Sequence, residues 1–314
     1  MSLTLVIPTY NRASLLNRLL TDLCSRAPAD WELIVVDDGS TDATAEVIAH
    51  HAPRIRSMRQ ENQGVSAARN AGVRLASHHW IKFVDSDDLC PVDQLVLFLS
   101  EADELPERQL PVGLSEAFDS ELRPLRLCDL NPPSDWPEAV MTPAQCMNFS
   151  FAAPMVLFRK NTFVMAGGFN ERIHNGEDYE LCLRILALGY VFIFKKQVIS
   201  LVVHHDGDRL SASVRDMRYF QDRQYQMSEV ANSVVRLADS DAGLNFSVIL
   251  WMYGRHARFR GCFKEAKWFF KTAHQFSARR AVPESSFSYF LNLYAPQSLL
   301  FKAAALKKWF DTRL

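Results

Sequence analysis

The chain reads as an α/β protein: a mixed, mostly parallel sheet flanked by helices, with a helical appendage at its carboxyl end. Three observations predict this. Short apolar runs recur at Leu3–Ile7, Trp31–Val36 and Trp80–Val84, and each passes straight into polar residues. Helical stretches with apolar stripes separate these runs, which is the layout of a sheet wound from strand–helix repeats. After Ser211 the pattern turns into long helical stripes without strand signals.

The first run, Leu3–Ile7, is uncharged and β-prone, so it predicts a central parallel strand that stops at Pro8. Pro8-Thr9-Tyr10-Asn11-Arg12 then forms a loop into an amphipathic helix from Ala13 to Cys24. The second strand, Trp31–Val36, ends in Asp37-Asp38-Gly39-Ser40-Thr41-Asp42. Gly39 and Ser40 suit a turn, and Ser40, Thr41 or Asp42 is placed to cap a helix reaching Ile48. In Asn62 to Gly72, small residues let a further helix approach the sheet closely.

The third run delivers Asp85-Ser86-Asp87-Asp88 at its carboxyl end, where open α/β sheets bind ligands. Crowded carboxylates repel unless a cation or hydrogen-bond donors sit among them. Hard oxygen ligands favour Mg²⁺ or Mn²⁺, ions that bridge a protein carboxylate to a substrate phosphate. An acidic turn capping the next helix would use the same residues.

Residues 100 to 150 are broken by Leu105-Pro106, Leu110-Pro111, Asn131-Pro132-Pro133 and Trp136-Pro137, and are expected to hold a few strands and a flap. Ala153–Arg159 predicts a strand, followed by a short helix and the turn Ala166–Glu171. Gly176-Glu177-Asp178 opens a helix from Tyr179 to Leu188, with Leu181, Leu183, Ile185, Leu186 and Leu188 supplying its buried face. Acids at a helix start also complement its dipole, so residue type alone leaves the role of Asp178 open. Val198–Val203 predicts a strand leading into His204-His205-Asp206-Gly207-Asp208-Arg209-Leu210-Ser211. Alternation turns the two histidines to opposite sides, and a neutral imidazole is a competent Mn²⁺ ligand.

The carboxyl-terminal stripes, Val214–Leu237, Leu244–Arg258 and Phe263–Phe276, predict helices, and part of this region looks like a tetratricopeptide-type helix pair. Residues 251–314 hold twelve Lys or Arg against three Asp or Glu, a local charge of +9 that leaves −10 for the rest of a chain whose net charge is −1. Basic helices with Trp251, Trp268, Phe269, Phe270 and Trp309 suit an anionic membrane surface, or else pack on the rest of the chain or form a homodimer. No nucleic-acid module is recognised. The six cysteines, Cys24, Cys90, Cys128, Cys146, Cys182 and Cys262, are scattered without a close pair, which argues against a zinc site and a disulfide framework. With 48% hydrophobic and 23% charged residues the composition is that of an ordinary globular protein. The chain opens on a core strand, so no signal peptide is expected, and no apolar run is long enough to span a bilayer. A cytoplasmic location is expected, peripheral at the inner face of the membrane where the basic helices take the membrane-surface role.

Four strings, Pro8-Thr9-Tyr10-Asn11-Arg12, Asp37 to Asp42, Gly64-Val65-Ser66-Ala67-Ala68-Arg69-Asn70 and Asp85-Ser86-Asp87-Asp88, occur in the order and spacing of family 2 glycosyltransferases. The resemblance covers roughly residues 1 to 215. It implies a GT-A fold and an inverting enzyme of the bacterial cell-surface polysaccharide or lipopolysaccharide type. The division it implies is a catalytic domain over 1–215 (nucleotide-sugar half about 1–100, acceptor half about 101–215) and a helical region over 216–314.

The resemblance also implies roles. Pro8, Thr9, Tyr10 and Arg12 line the nucleotide pocket, Asp38 meets the base edge, and Arg69 steadies the nucleotide. Asp85 and Ser86 lie on the ribose side, while Asp87 holds Mn²⁺ or Mg²⁺ with His205 (or His204). Asp178 is the expected base, supported by Glu177, and Arg209 and Ser211 belong to a loop closing over the diphosphate. The donor is expected to be a nucleoside-diphosphate sugar, UDP favoured over GDP, and the acceptor a glycan or a lipid-linked hydroxyl compound. A sugar nucleotidyltransferase would share the layout, but that class has a glycine-rich loop after the first strand where this chain has Pro8–Arg12. A catalytically silent binding scaffold is the remaining alternative.

Overall fold

The computed structural model describes residues 2–125, 136–204 and 217–277. The chain divides into two compact units, Met1–Arg209 and Leu210–Leu314. The first unit begins with β1 (Leu3–Thr9), α1 (Ala13–Arg26), β2 (Glu32–Asp37), α2 (Thr44–His51), β3 (Arg56–Arg59), α3 (Val65–Leu75) and β4 (Trp80–Phe83). It continues with α4 (Val92–Asp103), β5 (Gln109–Phe118), β6 (Ala139–Val140), α5 (Pro143–Asn148), a 3₁₀ turn (Ala153–Met155), β7 (Leu157–Arg159), α6 (Lys160–Met165), α7 (Glu177–Ala187) and β8 (Val191–Val203).

Five strands form the main sheet in the order β3-β2-β1-β4-β7. β1 to β4 pair in parallel, and β7 closes the edge antiparallel to β4, so the sheet is mixed and mostly parallel as expected. The uncharged β1 is buried along its whole length, as a strand covered on both faces must be. α3 packs on β1 and β2. Its Gly72 permits the close approach, since a Cβ there would collide with Val6 Cγ1. A smaller sheet, β5-β8-β6, joins the first through single bridges between Val112 and Val156 and between Leu89 and Leu201.

Three local expectations need correction. β1 does not stop at Pro8 but runs to Thr9, with Pro8 paired to Val36. Pairing with β4 ends at Val6, so no carbonyl on that side requires the N–H that proline lacks. Ala153–Arg159 is not one strand. Pro154 cannot donate to a ladder, and the segment forms a 3₁₀ turn before β7. No side chain caps α2 at Ala43, but Asp42 accepts from the Thr44 N–H at 3.1 Å and the Ala13 N–H at 3.1 Å, tying together the starts of α2 and α1.

The second unit, in its described part, is α8 (Met217–Leu237), α9 (Ser240–Phe259) and α10 (Phe263–Ser277). α9 and α10 form a tight pair: a Cβ on Gly254 would come within 2.7 Å of the Phe270 ring. Phe269 and Phe270 are fully buried here, so these two aromatics are core and not part of an exposed interfacial face as expected. Trp309 lies outside the described residues. Among the described residues no helix is long and apolar enough to cross a membrane.

Candidate active site

The parallel strands converge by their carboxyl ends on one rim. β1 delivers Thr9, β2 delivers Asp37 and Asp38, and the loop after β4 delivers Asp85 to Asp88. Thr9 is buried, and its Oγ1 has no hydrogen-bond partner. Pro8 is buried beside it, Tyr10 is exposed and Arg12 is half-buried. Asn11 stands between the loops, its Oδ1 accepting from the Thr41 N–H at 2.7 Å and its own N–H donating to Ser40 Oγ at 2.9 Å.

The two acids after β2 do different work. Asp37 takes the turn-capping role, accepting from the Ser40 N–H at 2.8 Å and pairing with Arg59 at 3.3 Å. Asp38 uses both carboxylate oxygens on the following loop: Gln60 Nε2 donates at 2.8 Å, the Gln63 N–H at 3.0 Å and the Gly64 N–H at 2.8 Å. Asp38 therefore shapes the entrance to α3.

Arg69, one residue short of the middle of α3, is buried and reaches three carboxylates. Its Nη2 donates to Asp85 at 2.9 Å, and its Nη1 to Glu177 at 2.9 Å and Asp178 at 3.2 Å. The guanidinium also stacks over Phe169 at 5.3 Å. Beneath it, Phe83, Phe158, Phe163 and Phe169 pack edge to face at 5.2–5.9 Å, a rigid apolar floor. Burial opposes the charged guanidinium, but Asp85, Asp178 and Glu177 more than offset this and raise its pKa.

Asp178 sits in the first turn of α7, as the sequence implies. Burial pushes its carboxyl up and neighbouring Glu177 pushes it further. Arg69 and a hydrogen bond from the Ala153 N–H pull it back, and the result is a pKa of about 7. A carboxyl poised there can take a proton at neutral pH, which an ordinary carboxylate does poorly.

In the loop after β4, Ser86 and Asp88 are buried, and Asp88 accepts from the Val203 N–H at 2.9 Å, tying the end of β8 to this loop. Asp87 is half-buried, and its backbone carbonyl accepts from Arg18 at 3.0 Å. His204 is exposed at the end of β8, its N–H donating to Phe118 O at 2.6 Å. His205, Arg209 and Ser211 lie outside the described residues. Among the described residues no group of three or more His, Cys, Asp or Glu side chains is arranged to hold a metal ion.

The structure thus brings Arg69, Asp85, Glu177 and Asp178 together. It adds residues that sequence reasoning missed. Asn70 clamps the turn before α7, donating to Phe169 O at 3.0 Å and accepting from the Phe169 N–H at 2.9 Å. Arg184 pairs with Glu180 at 2.5 Å and donates to Gly168 O at 2.9 Å and to Ala166 O, fixing α7 on the same turn. The signal for Asn70 was its place beside Arg69; Arg184 stands one turn after Glu180, an i, i+4 pair.

The profile of Glycosyl transferase family 2 matches residues 4–126. A chondroitin synthase from Pasteurella multocida is 29% identical over 213 residues, 65% of this chain and 21% of that protein. The succinoglycan biosynthesis protein ExoO of Rhizobium meliloti is 31% identical over 225 residues, 65% of this chain and 64% of that protein. The chain spans about a fifth to a third of the length of several such relatives. Among solved structures, S. aureus TarS 1-349 in complex with UDP-GlcNAc aligns with a TM-score of 0.68 at 18% identity, covering 88% of this chain and 80% of that one. These matches agree: residues 4–126 match the family 2 glycosyltransferase profile, and the chain shares the GT-A fold of TarS.

Proposed function

We propose that the protein is an inverting glycosyltransferase that moves a sugar from a nucleoside-diphosphate sugar to a hydroxyl group of a glycan or lipid-linked acceptor. The observation that carries this reading is Asp178, a half-buried carboxyl 3.2 Å from Arg69 and beside Glu177, held at a pKa of about 7. An acceptor hydroxyl is a poor nucleophile and must lose its proton as the new C–O bond forms. Asp178 removes that proton as general base, a contribution of ~10²–10⁴-fold. With Asp178 as the one base, a single displacement with inversion at the anomeric carbon suffices, and no second nucleophile is needed.

Thr9, Tyr10 and Arg12, with the loop that Asp38 shapes, form the nucleotide side, and Arg69 holds Asp85 and Asp178 in register. UDP is the favoured nucleotide; TarS, of the same fold, was solved with UDP-GlcNAc and with UDP. The chemistry of the donor set fits a divalent cation in part. Half-buried Asp87, in the loop after β4, is the acid assigned to this task by its place in the Asp85-Ser86-Asp87-Asp88 string, with His205 (or His204) as second ligand. One or two protein ligands plus phosphate oxygens is the usual Mg²⁺ arrangement, and such an ion would neutralise charge on the departing diphosphate. Residues 1–215 are assigned the chemistry. The basic tail from about Trp251 onward, +9 over residues 251–314, is assigned to an anionic membrane surface that carries a lipid-linked acceptor, with packing or a homodimer as the alternative.

Hydrolysis and transfer with a panel of UDP- and GDP-sugars, with and without Mn²⁺, test the reading. Asp178→Asn should keep donor affinity within about twofold and lower turnover by ~10²–10⁴-fold. Product of inverted anomeric configuration is expected by NMR. Retained turnover in the variant, or a product of retained configuration, overturns the assignment.

A further inference from the structure

Lys82 is an anomaly of the fold. It stands in the middle of β4, paired to Leu5 on one side and Leu157 on the other, and is 1% exposed. Among the described residues it forms no ion pair. A buried cation without a carboxylate is costly, and such groups persist where they do a job. Its ammonium donates to the carbonyl of Pro154, in the 3₁₀ turn Ala153–Met155. The preceding residue of that turn, Ala153, gives its N–H to the Asp178 carboxylate.

We propose that Lys82 is a positioning residue for Asp178: its ammonium anchors the Pro154 carbonyl and so fixes the Ala153 N–H against the carboxylate. This rests on the reading of Asp178 as the base. The turn is buried, and Val156 at its end bridges to Val112, but the Pro154 carbonyl itself is held by Lys82. Met155 N–H to Ala152 O at 2.9 Å and Val156 N–H to Ala153 O at 3.2 Å are its internal bonds, and Pro154 has no N–H to offer. Burial lowers the Lys82 pKa to about 8, with Cys90 and Asp85 acting the other way, so the side chain is cationic at neutral pH and a strong donor. The groups facing Asp178 are Glu177 and Cys182 from α7, Arg69 from α3, Asp85 after β4 and the Ala153 N–H. Loss of that N–H would remove one of the two influences that hold the carboxyl down.

The test reads the turn without substrate. In Lys82→Met, which keeps length and loses the donor, amide exchange at Ala153, Met155 and Val156 should speed up at least tenfold. Exchange at Val6 and Ile34 in the core should stay as in the wild type. The Asp178 carboxyl, followed by ¹³C NMR and assigned with Asp178→Asn, should titrate at higher pH than in the wild type. Lys82→Gln retains a shorter donor and should fall between. Unchanged exchange in the turn, or equal acceleration throughout the unit, overturns the proposal. If Lys82→Met does not fold, Lys82→Gln decides it, because selective acceleration in the turn is required there too. The base reading fails separately, through active Asp178→Asn in donor hydrolysis.

Discussion

The two sides of the site treat their acids in opposite ways. On the β2 side, Asp37 and Asp38 are saturated by donors from their own loops: Ser40 and Arg59 for the first, Gln60, Gln63 and Gly64 for the second. On the α7 side, Asp85, Glu177 and Asp178 crowd around one guanidinium. Saturation by amides favours a fixed carboxylate, whereas one cation shared among three acids leaves Asp178, beside Glu177, short of compensation. The first arrangement builds a loop, and the second stores basicity.

The sharpest way to break this contrast is to remove the shared cation. Arg69→Leu leaves three carboxylates in and around a buried space with no counter-charge. Breaking a buried pair in this way typically costs 3–5 kcal/mol, and urea unfolding should show a loss of about that size. The loss should be smaller at pH 5 than at pH 8, because protonation relieves the crowding. A change near zero at both pH values would show that the acids rearrange into water, and the poised state of Asp178 would lose its basis.

The β2 side should respond differently. Asp38→Ala leaves the amides of Gln63 and Gly64 without their acceptor, at about 1–3 kcal/mol. The entrance to α3 should loosen, and donor affinity should fall while the pH dependence of turnover stays where it was. Calorimetry with UDP and a pH–rate profile separate these outcomes. A shift of the profile would mean that the two sides are coupled.

How much of this was legible beforehand follows the same divide. The strand ends and their acids were readable because parallel strands announce themselves as apolar runs that stop at polar loops. Asp178 at the first turn of its helix was readable from Gly176-Glu177-Asp178 and the apolar stripe behind it. What Asp38 does was not, since its partners lie 22 to 26 residues away and are mostly backbone amides, which have no sequence signature. The Pro154 turn was misread as strand because the flanking residues are all apolar and only one proline marks the break. Lys82 was visible as a charge inside an apolar run, but its partner is a carbonyl 72 residues away. In the helical unit, apolar stripes located α8 to α10 well. They did not show that Phe269 and Phe270 face inward, because a stripe gives a face without naming what covers it.

The smallest expected effect tests the contrast at Asp178 itself. Its folded pKa of about 7 stands above the ordinary value of 3.8. A raised carboxyl pKa means the unfolded chain releases this proton more readily than the folded one. Stability therefore falls as pH rises from about 4 to about 7, and the penalty is complete above that window. Asparagine cannot ionise, so Asp178→Asn escapes the penalty, and Arg69 still keeps Asp85 and Glu177 as partners. The variant should melt higher than the wild type at pH 8, with the gain shrinking toward pH 5. Each kcal/mol corresponds to about 2–4 °C in a unit of this size, so calorimetry at the two pH values resolves the difference. A variant that melts lower at pH 8 would show that ionised Asp178 stabilises the fold through Arg69. It would then belong with Asp37 and Asp38 as a structural acid.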